Sequence, residues 1–305
     1  MQIRMRDGAL LHVRQWGNGH PVLVLSGLGM QSSVWWPFLT PFLTPLRANR
    51  RYRFILPDAR GVGGSADLHF GMSDVFEQHW QDAEDTVKEL GLKEFSLIGY
   101  SLGASVALHG FSRTGWPGLC RYLHIDQSPS ILNRSDWSYG LLGNRQEALF
   151  KAFERTESQI ADMMQYPTLA DLPVSVRHSV LADWQKISQQ FFHSPQAARI
   201  LALARRWPTL LKQGFPMYRI EDMYAYMHSY RHAHDYRSSL AACRVPVTVL
   251  AGMRSLLYHP KGQQWMADTL VKGCYERMEG AGHLMALERP VAFCRALQRF
   301  LTADL

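Results

Sequence analysis

Short apolar runs, each about the length of one sheet strand and each cut off by a turn, constrain this chain most. Pro21–Leu25 reads PVLVL, and Arg53–Leu56, Phe95–Ile98, Tyr122–Ile125 and Val245–Leu250 are of the same kind. A continuous apolar run marks a strand buried on both faces, as in parallel sheets covered by helices. Helix-length segments separate the runs. Ser73–Leu90 opens at a capping residue, Ser73 or Asp74, and closes at Gly91, and Leu102–Phe111 is rich in Ala and Leu. This alternation predicts a mostly parallel sheet with helices on both faces. Ile3–Met5 and Leu10–Gln15 flank Asp7-Gly8 and read as a hairpin. Tyr275–Met278 reads as a short late strand and Pro290–Leu301 as a closing helix.

The alternation stops near Ser128 and resumes near Val245. Helix-like runs in between are broken by Pro167, Pro173, Pro195, Pro208 and Pro216. The expectation is a core domain, residues 1–128 and 237–305, with a helical cap inserted at 129–236. A length of 305 residues suits one large α/β domain with such an insertion.

Composition excludes several classes. With 47% hydrophobic and 19% charged residues the chain is not intrinsically disordered. No apolar run approaches the roughly 20 residues of a membrane-spanning helix. Cys120, Cys243, Cys274 and Cys294 form no CxxC pair, so neither a zinc site nor a disulfide framework is expected. Met1–Gly8 alternates like a strand and does not resemble a secretory signal, so the expected location is cytoplasmic. The net charge of +7 is spread along the chain and does not suggest a nucleic-acid binder.

The sharpest local signal is Gly99-Tyr100-Ser101-Leu102-Gly103, preceded by the strand FSLI and followed by a helix. In that context G-x-S-x-G describes a strained strand-to-helix turn that exposes a serine hydroxyl near a helix N-terminus. The plain alternative is a serine that only caps the helix.

With this motif the chain resembles the α/β-hydrolase superfamily across Met1–Asp126 and Asp235–Leu305. Further segments carry the resemblance. PVLVL runs into Ser26-Gly27-Leu28-Gly29, where the family usually has His-Gly. Pro57–Ser65 (PDARGVGGS) is similar to the family's D-x-R-G-x-G-x-S loop. PVTVLAG, Pro246–Gly252, is similar to its seventh strand, and Gly280-Ala281-Gly282-His283 to its histidine loop. The resemblance implies an eight-stranded, mostly parallel sheet with an inserted helical cap, and a serine nucleophile without a cofactor.

It also implies site roles. Ser101 is the nucleophile and His283 its base, because a free serine hydroxyl is a poor nucleophile at neutral pH. The backbone N–H groups of Leu28 and Leu102 form the oxyanion hole. The family's usual acid follows the seventh strand as G-x-x-D, but here that stretch reads Gly252-Met253-Arg254-Ser255. Asp126, at the end of Tyr122–Asp126 (YLHID), is the substitute acid, as some superfamily members place theirs after this strand. The alternative is that Asp126 serves a turn and that Ser255 or a carbonyl orients His283.

Asp58, Arg60 and Ser65 are expected to hold a loop, and Asp82 and Asp85 to be solvated. His228, His232 and His234 read as a helical polar face and not a metal site. The insertion is rich in bulky apolar residues, which suggests a hydrophobic acyl substrate, with Phe191, Met223 and Tyr226 as pocket candidates. Between Asp183 and Glu221 lie Lys186, Arg199, Arg205, Arg206, Lys212 and Arg219 with no acid. That run is either a solvated face or a contact for an anionic partner such as an acyl carrier protein or coenzyme A. The leading expectation is a serine hydrolase acting on a small-molecule ester, thioester or lactone. An acyltransferase or cyclase, and a non-enzymatic ligand receptor on the same fold, are the alternatives.

Overall fold

The computed structural model describes residues 1–43, 52–70, 74–191 and 219–303, with 184–191 as helix backbone alone. Eight strands form one sheet: β1 (Gln2–Arg4), β2 (Leu10–Gly17), β3 (His20–Leu25), β4 (Tyr52–Pro57), β5 (Phe95–Tyr100), β6 (Leu119–Ile125), β7 (Val247–Gly252) and β8 (Gly273–Met278). Their spatial order is β1-β2-β4-β3-β5-β6-β7-β8. The β1–β2 and β2–β4 pairs are antiparallel and every other pair is parallel. The expected α/β-hydrolase sheet is therefore present, with small shifts. β7 starts two residues later than the sequence suggested and runs on to Gly252.

Period-two alternation along the strands feeds two apolar layers. In β3, Leu23 and Leu25 face one layer, with Phe76 and Trp80 of α2 (Val75–Glu89) and Ala107 and Phe111 of α3 (Leu102–Arg113). Val22 and Val24 face the other, with Trp35, Phe38 and the buried face of a C-terminal helix, Phe293, Leu297 and Phe300. All six residues of β5 are buried, as its continuous apolar run predicts. Asp74 is the cap of α2; its side chain accepts from the Phe76 and Glu77 N–H groups at 2.9 and 3.3 Å.

Between β6 and β7 lie the described helices α4 (Gln146–Ile160), α5 (Val174–Phe191) and α6 (Ile220–Arg231). The two ends of this insert meet. Ser130 bridges Asp235, and the Tyr236 N–H donates to Pro129 O at 2.9 Å. The insert is fastened to α2, where Ser229 Oγ accepts from the Val75 N–H at 3.0 Å and Tyr226 Oη lies 2.9 Å from His79 Nε2. After β7 comes α7 (Pro260–Thr269), which the apolar pattern did not announce. None of the described helices is long and apolar enough to cross a membrane.

Two sequence expectations need correction. Asp82 and Asp85 are not solvated; both are buried. Asp82 takes two 2.8 Å bonds from the buried Arg60 guanidinium, and Asp85 is gripped by Arg6 at 2.7–3.0 Å. A polar helix position reads as exposed until a partner charge from another segment reaches it. His232 and His234 are likewise not on the helix, which ends at Arg231, and His234 instead reaches Asp74 Oδ2 at 2.6 Å.

The loop after β4 is held as expected. Asp58 accepts from the Ser32 N–H at 2.6 Å and the Gly64 N–H at 2.9 Å and meets His12 Nδ1 at 2.9 Å. Ser65 Oγ accepts from the His12 N–H at 2.9 Å.

Candidate active site

The site is built on the carboxyl ends of β5, β6, β7 and β8. Ser101 follows β5 with a positive φ of 54° and ψ of −116°, outside the regions that side-chain-bearing residues ordinarily adopt. Its N–H donates to Ile125 O at 3.0 Å, and its carbonyl accepts the first helical bond of α3, from Ser105 N–H at 3.1 Å. The flanking glycines are required by contact. A Cβ on Gly99 would meet Ala104 Cα at 2.8 Å, and one on Gly103 would meet Leu25 O at 2.1 Å. The turn can therefore press against β3 only without side chains at those places. A strained non-glycine residue held by its surroundings is the form expected of a functional position.

Asp126 follows β6, also with a positive φ, 44°, and is fully buried. Its carboxylate accepts four hydrogen bonds. Oδ2 takes His283 Nδ1 at 2.7 Å and Ser255 Oγ at 2.7 Å. Oδ1 takes the Gly252 N–H at 3.0 Å and Gln263 Nε2 at 2.9 Å. Ser255 stands where the sequence pattern would have carried an acid, and its hydroxyl donates to the Asp126 carboxylate.

His283 is held from three sides. The Tyr100 ring stacks on the imidazole at a centroid distance of 5.7 Å and 15° between planes, and the Tyr100 hydroxyl donates to the His283 carbonyl. Tyr258 lies against the imidazole with centroids 6.1 Å apart. The histidine loop is pinned to the turn after β7. Arg254 N–H donates to Ala281 O at 2.8 Å, and a Cβ on Gly252 would come 2.4 Å from Gly282 O. Burial, then the nearby Asp126 and Glu288 carboxylates, raise the Tyr100 phenol far above its usual range, so it stays a donor.

The loop after β3 closes on Ser101. A Cβ on Gly27 would lie 3.4 Å from Ser101 Cβ, and Leu28 is half-buried against the apolar layer shared with α2 and α3. Ser26, in place of the family's histidine, accepts from Trp35 Nε1 at 3.0 Å. Leu102 opens α3, and the N–H groups of a helix's first turn have no helical carbonyl to bond.

The remaining candidates lie farther into the insert. Met223 and Tyr226 are buried on α6; the Tyr226 ring contacts Phe70 and His79 at 5.2 and 5.9 Å. The Phe191 side chain lies outside the described residues, as does the basic run except Arg219. The sequence carries no mark of Gln263 or Tyr258 as site residues. Neither sits in a motif, and only the path of the turn after β7 brings them to Asp126 and His283.

The chain spans 45% of the length of a non-heme haloperoxidase of Rhodococcus erythropolis, to which it is 33% identical over 130 residues, 43% of this chain. It is 20% identical to a pimeloyl-[acyl-carrier protein] methyl ester esterase of Nitrosomonas europaea over 93% of this chain and 97% of that one. Among solved structures, an esterase from Exiguobacterium antarcticum superposes with a TM-score of 0.73 at 19% identity, covering 99% of both chains. The model of the alpha/beta hydrolase family matches residues 22–296. The chain belongs to the alpha/beta hydrolase family.

Proposed function

We propose that this protein is a serine hydrolase that cleaves a carboxylic ester, thioester or lactone through an acyl-enzyme on Ser101. The Asp126–His283 contact of 2.7 Å carries the reading. With Nδ1 committed to a buried carboxylate, the imidazole keeps Nε2 as the nitrogen that can take a proton, and its cationic form is stabilised. Ser101 Oγ attacks the carbonyl carbon while His283 takes the hydroxyl proton. The negative oxygen is held by the backbone N–H groups of Leu28 and Leu102. His283 then protonates the leaving alcohol or thiol. Water, deprotonated by the same imidazole, attacks the acyl-enzyme; the bond to Ser101 Oγ breaks, His283 returns the proton to Oγ, and the acid leaves.

Residues 129–236 act as a cap in this reading, and the apolar side chains of the insert favour a hydrophobic acyl group. A second reading, an ester or thioester borne on an acyl carrier protein, is favoured by the name of the Nitrosomonas relative, which matches 93% of this chain. The test is labelling with a fluorophosphonate, followed by peptide mapping. Modification at Ser101, lost in Ser101→Ala with the fold intact, is expected; undiminished labelling of the variant would reject Ser101 as nucleophile. A series of p-nitrophenyl esters of rising chain length, with and without alcohol or thiol acceptors, then separates hydrolysis from acyl transfer and reads the acyl preference.

A further inference from the structure

We propose that Ser255 and Gln263 are positioning residues that make an acid at the end of β6 serviceable, an inference that rests on the serine-hydrolase reading of Ser101, His283 and Asp126. A carboxylate has about four lone-pair sites. At Asp126 all four are met: by His283 Nδ1, by the Gly252 N–H, and by the Ser255 hydroxyl and Gln263 amide. Only the first is needed for a proton relay. The other three fix the rotation of a carboxylate that leaves a backbone of positive φ, 44°.

The direction of each bond is set locally. Ser255 Oγ accepts from the Tyr258 N–H at 3.4 Å, which leaves its hydroxyl proton for Asp126 Oδ2 at 2.7 Å. The Ser255 backbone is itself locked, since its N–H donates to Gly252 O at 3.0 Å. Gln263 is fully buried, and its Nε2 reaches two acceptors, Asp126 Oδ1 at 2.9 Å and Tyr258 O at 3.3 Å. The reverse amide orientation would face oxygen with oxygen. Gln263 Oε1 is left buried without a partner. An orphaned buried carbonyl is destabilising, because it has lost its water partners without gaining new ones. An apolar side chain of the same size would avoid that cost but could not donate to Asp126 Oδ1. The two residues therefore act through Asp126 and not on the substrate. Oδ2 shares its two acceptor sites between Ser255 and His283, which sets the angle at which it meets the imidazole.

The experiment measures kcat and KM on p-nitrophenyl butyrate, and the fluorophosphonate labelling rate, for Ser255→Ala, Ser255→Thr, Gln263→Met and Gln263→Glu. Each is also made in the Asp126→Asn background. Ser255→Ala and Gln263→Met are expected to lower kcat about tenfold, the worth of one net hydrogen bond, with KM unchanged. Ser255→Thr, which keeps the hydroxyl, should recover most of the loss. Gln263→Glu keeps the shape but turns a carboxylate toward a carboxylate, and should be worse than Gln263→Met. In the Asp126→Asn background none of them should lower the rate further, because their route of action is gone. Wild-type kcat in both Ser255→Ala and Gln263→Met, or losses that simply add to that of Asp126→Asn, would overturn the proposal. A wild-type protein that labels elsewhere than Ser101 would instead overturn the serine-hydrolase reading beneath it.

Discussion

At the rim of the sheet, Asp126 accepts four hydrogen bonds within 3.0 Å, and two glycines flank Ser101 where any Cβ would collide. In the insert, α6 is held by the burial of Met223, Tyr226 and Met227 in a broad apolar layer, with single fasteners such as Tyr226–His79. Displacement by a few tenths of an ångström breaks the first kind of arrangement. The second can repack, because apolar contacts have no direction. The Ser101, Asp126 and His283 arrangement therefore sits on strand ends, and the adaptable surface sits in the segment that the sheet does not constrain.

The largest effect at the rim is on rate. His283→Ala is expected to lower fluorophosphonate labelling of Ser101 by about 10⁴–10⁶-fold while the unfolding midpoint stays near that of wild type. A near-native labelling rate would remove His283 from the rim's chemistry. In the insert the effect should fall on stability. Met223 is fully buried, so Met223→Ala should cost about 2–5 kcal/mol in urea unfolding and shift ester preference toward longer chains. An unchanged chain-length profile would place the substrate pocket away from α6.

Much of the rim was legible because strand ends and tight turns leave local marks. The run FSLI, the two glycines around Ser101 and the Gly-Ala-Gly before His283 each state a backbone requirement in the sequence. Asp126 was legible as a carboxylate on the end of the neighbouring parallel strand once Ser255 occupied the usual place. Gln263 was not legible, since it reaches Asp126 only through the path of the chain after β7. The burial of Asp82 is hidden in the sequence for the same reason. Helical periodicity says that a face is polar, but not that Arg60 arrives to pair with it. Nor do bulky apolar residues in an insert say which of them meet the core and which meet a ligand.

Acid should strain the join between the two regions. Burial, then repulsion by Arg60, pulls the His79 imidazole down to about 3. The folded protein holds it neutral, whereas the unfolded chain binds a proton near 6.5. The stability held above about pH 6.5 is thus lost as pH falls toward the folded value, at up to about 1.4 kcal/mol per unit from this group. Urea midpoints between pH 7 and 5 should fall, and less steeply in His79→Phe; equal slopes would show that His79 does not couple the regions. Tyr226→Phe, the smallest change, removes one hydroxyl from His79 and should cost about 1 kcal/mol with labelling of Ser101 unaltered. Slower labelling would mean that the fastener also shapes the rim.

Whether Asp126 is the acid serving His283 is read most directly from the labelling rate of Ser101 in two variants. Asp126→Asn keeps the shape and removes the charge that stabilises the imidazolium, so the rate should fall about 10²–10⁴-fold. Adding Ser255→Asp returns a carboxylate to the turn after β7, whose residue 255 already lies beside the same acceptor, and should restore part of the rate. A wild-type rate in Asp126→Asn would contradict the account, and His283 would then take its orientation from another group.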